Sequence, residues 1–249
     1  MEEKILKLQR FIDESNSIVF FGGAGVSTES GVPDFRSKDG LYNQHDVQFD
    51  MYEPEYLLSH DCLVSRPKVF YEYYRQKMDA RHVKPNVTHE FLAKLEQAGK
   101  LSAIVTQNID GLHQKAGSQK VYEVHGTTLR NYCMICGAPY GEDFIYDSEQ
   151  QIPICPKCGE GHIRPDVTLY QEGLPEAAVE GAINSIREAD MLIIAGTSLK
   201  VYPAASFISY FKGRHLVVLN REPLGVQLDE ENDLAIIGSM GEVFEKLHI

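Results

Sequence analysis

An α/β fold built on a parallel sheet and interrupted by a smaller lobe is what the 249-residue sequence predicts. Three observations carry that expectation. Short apolar runs recur along the chain, "SIVFF", "LSAIVTQ", "KVYEVHG", "MLIIAGTS" and "HLVVLN". Each is separated from the next by a helical stretch or a longer insertion, the pattern of strands buried on both faces of a parallel sheet. A glycine-bearing turn, "GGAG", follows the first run directly. Four cysteines sit as two C-x-x-C pairs inside an excursion punctuated by Gly and Pro, roughly residues 127 to 165.

Composition sets the outer limits. With 43% apolar and 24% charged residues, the chain has the makeup of an ordinary globular protein with a sizeable core. Its net charge of −12 repels phosphate backbones and favours cationic partners such as lysine-rich peptides, so direct nucleic-acid binding is not expected. The opening "MEEKILKLQRF" has neither a basic leader nor a long apolar run, and "MLIIAG" is too short to span a bilayer. No membrane association and a cytoplasmic location are therefore expected. Paired cysteines in a reducing compartment point to metal rather than disulfides, with Cys62 left over as a structural residue.

Taken in order, Ile5, Leu8, Phe11 and Ile12 recur at helical spacing and predict a first helix ahead of the strand "SIVFF". Gly23 and Gly25 then let the backbone turn tightly and approach a pyrophosphate at a helix N-terminus. Thr28 stands where a dinucleotide-binding loop has its third glycine, and no acidic strand end follows about twenty residues later, which disfavours a hydride-transfer dehydrogenase. "SGVPDFRS" instead offers Pro33, Asp34, Phe35 and Arg36, groups suited to covering a cofactor. The segment "YEPEYLLSHDCLVSRPKVFYEYYRQKM" reads as a helical insertion.

"TQNIDGLHQKAG" places Gln107, Asn108 and Asp110 at the end of the second strand, where open parallel sheets bind ligands. His125 ends the third predicted strand and is a candidate base near neutral pH. Cys133, Cys136, Cys155 and Cys158, with positions 137 to 154 between the pairs, match a closed four-thiolate zinc site that is structural rather than catalytic. His162 has no ligand role beside a full cysteine set. Gly196, Thr197 and Ser198, and then Asn220, follow later strands and present donors and hydroxyls to ribose or phosphate. Singly, each of these stretches also reads as a capped turn, and His125 as a core histidine.

In combination and in order, "GAGVSTESGVPDFR", "TQNIDGLHQKAG", "HG", the paired cysteines, "GTSLKVYPA" and "LNRE" resemble the sirtuin family, NAD-dependent protein lysine deacylases, in its bacterial form. The resemblance covers nearly the whole chain. It implies a Rossmann-like domain in three parts, residues 1–37, 89–126 and 166–249, with a helical module at 38–88 and a zinc module at 127–165. It implies that Ala24, Thr28, Phe35 and Arg36 hold NAD, and that Gln107, Asn108, Ile109 and Asp110 line the ribose and nicotinamide pocket. Thr197, Ser198, Asn220 and Met240 take the adenosine side, His125 and Asn108 are catalytic, and Val167 walls the acyl-lysine tunnel.

The implied chemistry consumes NAD as an electrophile. The acyl oxygen attacks the ribose carbon, nicotinamide leaves, His125 deprotonates a ribose hydroxyl, and water releases lysine and O-acyl-ADP-ribose. Acetylated lysine in proteins or peptides is the implied partner, NAD the co-substrate, and one zinc ion the structural metal. "RPDVTLYQEGLP" resembles the family's peptide-binding strand, with Tyr170 and Gln171 where phenylalanine-glycine is commoner. Members that prefer succinyl or malonyl groups carry a tyrosine and, three positions on, an arginine. Here Tyr71 is followed at that interval by Tyr74, with Arg75 one position further, so deacetylation is expected over desuccinylation. The competing readings are a mono-ADP-ribosyltransferase, a deacylase for another acyl group, a non-catalytic reader of acetylated proteins and a zinc-ribbon nucleic-acid module. The acidic balance and the cleft motifs outside the ribbon disfavour the last.

Overall fold

The computed structural model describes residues 1–249. Helix α1 (Glu2–Glu14) buries Ile5, Leu8, Phe11 and Ile12, the four residues of its apolar stripe, and leads into β1 (Ile18–Gly22). After β1 come short 3₁₀ turns at Ala24–Val26, Thr28–Ser30 and Leu41–Asn43, then helices α2 (Pro54–Leu57), α3 (His60–Ser65) and α4 (Pro67–Lys77). Proline opens α2 and α4, where its missing N–H would have no partner in any case. Helix α5 (Val87–Gln97) starts at an Asn86–His89 capping box and returns the chain to β2 (Leu101–Thr106). The one-turn α6 (Leu112–Lys115) precedes β3 (Val121–Glu123).

The chain then leaves the large sheet for β4 (Gly126–Cys133), β5 (Pro139–Gly141), α7 (Asp143–Tyr146) and β6 (Ile163–Val167), an antiparallel sheet in the order β5-β4-β6. Helix α8 (Glu176–Glu188) leads back to β7 (Met191–Ala195). A 3₁₀ segment at Ala204–Tyr210 precedes β8 (His215–Asn220), β9 (Leu234–Ile237) and α9 (Met240–Phe244).

The large sheet has six strands, all parallel, in the order β3-β2-β1-β7-β8-β9. Successive side chains of β1 serve opposite faces: Ile18 and Phe20 join the core beneath α1, α5 and α9, whereas Val19 and Phe21 join the core beneath α8. This is the Rossmann-like arrangement, and its strand order reverses between β1 and its neighbours β2 and β7. There the connections diverge and open a crevice at the carboxyl edge. A third core unites the helical and cysteine-bearing segments through Phe70, Tyr71, Tyr74, Ile145, Ile163 and Val167.

Three details differ from the sequence reading. No α-helix follows the glycine turn, so no helix N-terminus is aimed at a pyrophosphate, and the loop closes as two 3₁₀ turns. The third strand stops at Glu123, leaving His125 in the turn between β3 and β4. The sheet also gains β9, a four-residue edge strand paired to β8 through Val217 to Asn220, too short to stand out in the apolar pattern.

Candidate active site

The glycines after β1 are demanded by their neighbours. A Cβ on Gly25 would lie 2.8 Å from Gly196 Cα, and one on Gly23 would lie 2.8 Å from Thr197 Cβ. The Gly25 N–H donates to the Gly196 carbonyl at 2.8 Å. Two loops from adjacent strands thus interlock backbone to backbone across the switch point, a contact only glycine permits. Gln107 Nε2 adds a donor to Thr197 Oγ1 at 3.1 Å, joining the β2 loop to the same junction.

These loops, the 31–42 segment and the end of β6 surround one cavity of about 780 Å³. Ala24, Thr28, Phe35, Arg36, Gln107, Asn108, Ile109, Asp110, His125, Val167, Thr197, Ser198, Asn220 and Met240 all line it. The loop carrying Asn108 to Asp110 is tied down where Thr128 donates its N–H (2.8 Å) and its hydroxyl (3.0 Å) to the Ile109 carbonyl. Met240 is set by Glu29, whose carboxylate accepts from Ser239 Oγ at 2.7 Å and from the Gly241 N–H at 3.0 Å.

At the cavity's deep end, Asn108 Nδ2 donates to Ser27 Oγ (3.1 Å), and Ser27 Oγ donates to Asp110 Oδ2 (2.6 Å). All three residues are buried. Burial pushes the Asp110 carboxyl up, while the Ser27 hydroxyl and the Leu112 amide pull it back down. The chain of donors leaves Asn108 Oδ1 free to face a ligand. Ser27 was not singled out in the sequence. Its only signal there is a hydroxyl inside a glycine-rich loop between apolar Val26 and Thr28, which does not reveal a partner 83 residues away.

His125 Nδ1 lies 3.0 Å from the Gln107 carbonyl oxygen. A carbonyl only accepts, so Nδ1 carries the proton and Nε2 the lone pair. Burial lowers the imidazole pKa, and the Gln107 contact opposes that in part, so the ring is neutral at neutral pH. The His125 carbonyl in turn accepts the Thr168 N–H at 2.8 Å, setting Val167 and the following segment beside the histidine.

That segment is anchored from below. Arg164, itself buried, holds Glu172 bidentately, Nη1 to Oε1 at 2.6 Å and Nη2 to Oε2 at 2.9 Å. His60 Nδ1 and the Leu169 N–H reach the same carboxylate at 2.9 Å each. Burial alone would raise the Glu172 pKa, yet these bonds hold it down to about 2. Gln171 adopts a left-handed φ of 76°, and its Oε1 accepts the Asp61 N–H at 3.0 Å. Arg75 points away from the cavity and donates to the carbonyls of Ile145 (2.8 Å), Gln150 (2.8 Å) and Gln151 (3.1 Å), whereas Tyr74 lines the cavity.

The cysteines converge elsewhere. Sγ atoms of Cys133, Cys136, Cys155 and Cys158 all lie within 4.8 Å of one another, and the pairs Cys133–Cys158 and Cys136–Cys155 stand 3.7 Å apart. Metal–sulfur bonds of about 2.3 Å in a regular tetrahedron require sulfur–sulfur edges of about 3.8 Å, so the set fits a zinc ion. A disulfide would need about 2.05 Å. Backbone N–H groups of Ile135 and Cys136 point at Cys133 Sγ, and that of Gly161 at Cys158 Sγ, each at 3.4 Å, which suits thiolates. None of the four lines the cavity, and His162 is outside the cluster. Cys62 is buried in the small-lobe core, its thiol pushed up to about 11 by burial. No helix is long and apolar enough to cross a membrane.

The Sir2 family model matches residues 23–203. A protein of Clostridium acetobutylicum named NAD-dependent protein deacetylase is 52% identical over 98% of this chain and 97% of its own length. One of Clostridium perfringens with the same name is 52% identical over 99% of each. Among solved structures, Sir2 with a p53 peptide and NAD+ superposes with a TM-score of 0.83 at 34% identity, covering 98% of this chain and 96% of that one. Sir2 bound to an acetylated peptide gives 0.84 at 32% identity over the same shares.

Proposed function

The chain belongs to the Sir2 family and is an NAD-dependent protein deacetylase, and on that premise we propose that His125 is its general base and that Asn108 and Asp110, held by Ser27, grip the cofactor's ribose and carboxamide. Bound NAD supplies an electrophilic ribose carbon with nicotinamide as its leaving group. The chain's own residues do the rest. The Asn108 carboxamide and the Asp110 carboxylate, both lining the cavity, would stand beside the carbon where positive charge develops. Phe35 covers the reacting ribose and keeps water from it. His125 Nε2 accepts the proton of a ribose hydroxyl, and Gln107 holds the imidazole in the tautomer that can do so. Thr197, Ser198, Asn220 and Met240 receive the adenosine half, with Ala24, Thr28, Arg36, Gln107 and Ile109 between the two ends.

Acetylated lysine in proteins or peptides is the substrate class. Val167 walls the channel for the modified side chain, and the backbone of the following residues receives the peptide as an added strand. Arg75 is spent on three backbone carbonyls and Lys77, which lines the cavity, is paired with Asp46 at 3.4 Å, so neither cation of α4's last turn is free for a succinyl carboxylate, which favours the acetyl group. In this reading residues 1–37, 89–126 and 166–249 serve the cofactor, and the modules at 38–88 and 127–165 frame the peptide in a cytoplasmic enzyme. The cysteines hold zinc as a closed structural site.

The observation that carries the proposal is the His125 Nδ1–Gln107 carbonyl contact, because it commits Nε2 to accepting a proton inside the same cavity as Asn108 and Asp110. Nicotinamide release from NAD, measured with and without an acetyl-lysine peptide, tests it. Release that requires the peptide and is far slower with a succinyl-lysine peptide is expected, with steady-state formation of O-acetyl-ADP-ribose falling by roughly 10²-fold or more in His125→Ala of normal zinc content. Peptide-independent release surviving in the variant would put ADP-ribosyl transfer in its place.

A further inference from the structure

Residues 34 to 43 form the segment that presents Phe35 and Arg36 to the cavity, and its hydrogen bonds are almost all internal. Asp34 Oδ1 accepts the N–H groups of Arg36 and Ser37, the Leu41 and Tyr42 N–H groups reach the carbonyls of Asp34 and Phe35, and Asn43 Nδ2 reaches Ser37. Apart from the turn bond of the adjacent Gln44 N–H to the Leu41 carbonyl, the bonds that leave the segment end on one atom, the Tyr170 hydroxyl. Arg36 Nη2 donates to it at 3.0 Å, and the Tyr42 hydroxyl lies 2.8 Å from it. With Arg36 donating, Tyr170 can donate to Tyr42, so the three groups satisfy one another. The Arg36 guanidinium also stands over the Tyr42 ring at 5.3 Å, and Phe35 packs on that ring at 5.3 Å.

Tyr170 itself is a fixed post. Its N–H donates to the Leu58 carbonyl and its carbonyl accepts the His60 N–H, both at 3.0 Å, so the helical module clamps its backbone. It lies three residues beyond Val167, and both segments line the same cavity.

We propose that the Tyr170 hydroxyl is a positioning group that couples the two substrates: it ties the segment bearing Phe35 and Arg36 to the strand that receives the peptide. A phenylalanine there would keep the ring packing and lose the tie. Peptide seated on the strand beside the fixed Tyr170 favours the arrangement in which that hydroxyl holds Arg36 and Phe35 over the cofactor, and by linkage the cofactor strengthens peptide binding by the same factor. The inference rests on the deacetylase reading.

Titration calorimetry with ADP-ribose, which lacks the nicotinamide to be expelled and so does not react, tests the coupling. Binding is measured with and without saturating acetyl-lysine peptide for wild type, Tyr170→Phe, Tyr42→Phe and the double variant, with melting temperatures alongside. The expected result is that peptide tightens ADP-ribose binding in wild type and that this factor falls roughly three- to tenfold in each single variant, with little further loss in the double. In turnover, Tyr170→Phe raises the NAD KM with kcat little changed. An unaltered tightening factor in folded Tyr170→Phe, or losses in both ligands' affinities that leave the factor intact, would overturn the coupling while leaving the deacetylase assignment standing. A wild type that deacetylates nothing in the presence of NAD would overturn both.

Discussion

Ser27 shows how much of the site rests on one small side chain. Its hydroxyl donates to Asp110 and accepts from Asn108 inside a buried pocket, so its removal strands a carboxylate that burial already pushes toward protonation. An unsatisfied buried acceptor costs about 1–3 kcal/mol. Ser27→Ala is therefore expected to lower kcat/KM by roughly 10- to 100-fold and to reduce thermal stability modestly, whereas Ser27→Thr, which keeps the hydroxyl, retains more of both. Steady-state kinetics and melting curves on the two variants check this, and wild-type kinetics in Ser27→Ala would remove Ser27 from the site. Gln171 makes a related point about single residues. Its left-handed backbone is unfavourable for a side chain, but the bond from the Asp61 N–H offsets that and joins the segment after β6 to α3.

Among the elements, the cysteine-bearing sheet is the one that cannot stand by its own packing. β5 and β6 are short, and the segment between Cys136 and Cys155 contains only β5 and the single turn of α7 as regular structure. A tetrahedral thiolate site supplies what the small core lacks, since structural zinc contributes about 10–16 kcal/mol in small zinc-dependent folds. The module is also welded to α4, because Arg75 donates to three of its carbonyls and Tyr71 donates to the Ile163 carbonyl at 2.9 Å. Loss of zinc should then loosen both walls of the peptide channel. Cys155→Ser is expected to abolish stoichiometric zinc, lower the melting temperature by well over 10 °C and eliminate deacetylation, measured by metal analysis, calorimetry and turnover. A zinc-free variant with full activity and an unchanged melting temperature would rule this out.

At the level of the whole molecule, stability depends on histidines kept neutral in the core. His89 and His113 are buried with ring centroids 4.7 Å apart, and burial holds His89 at about 4 and His113 well below its ordinary value, where the charge of His89 lowers it further. Folded-state values below the unfolded value mean that the unfolded chain binds more protons in acid. The stabilisation is complete above about pH 6.5 and is lost as pH falls from there toward about 4, at up to about 1.4 kcal/mol per pH unit for each histidine. Glu172 adds a loss of its own only below its unfolded value, toward about 2. Asp110 and Glu123, raised by burial, act in the opposite sense. Urea midpoints should therefore fall between pH 7 and pH 5.5, with a shallower slope in His113→Asn whatever that variant's absolute stability. Equal slopes would show that the pair does not govern acid stability.

The parallel sheet, the cysteine site and the polar residues Gln107, Asn108, Asp110, Thr197, Ser198 and Asn220 were legible in the residues themselves, because each is local: a continuous apolar run, a C-x-x-C spacing, or a polar motif directly after a strand. Ala24, Ile109, Val167 and Met240 were reached only through the family resemblance. His125 was legible as a residue but not in its setting, since the end of β3 depends on a glycine, Gly126, whose positive φ of 75° lets β4 begin against Asp166 and Val167. The glycine loop illustrates the same divide. Gly23 and Gly25 could be read as turn formers, yet what requires them is the backbone of Gly196 and Thr197, brought there by β7. Ser27 with Asp110, Arg75 with the zinc module and Tyr170 with Arg36 were decided only in the tertiary structure. Hydrogen bonds between residues tens of positions apart leave no periodicity or spacing in a single chain, and only the packed fold brings their donors to their acceptors.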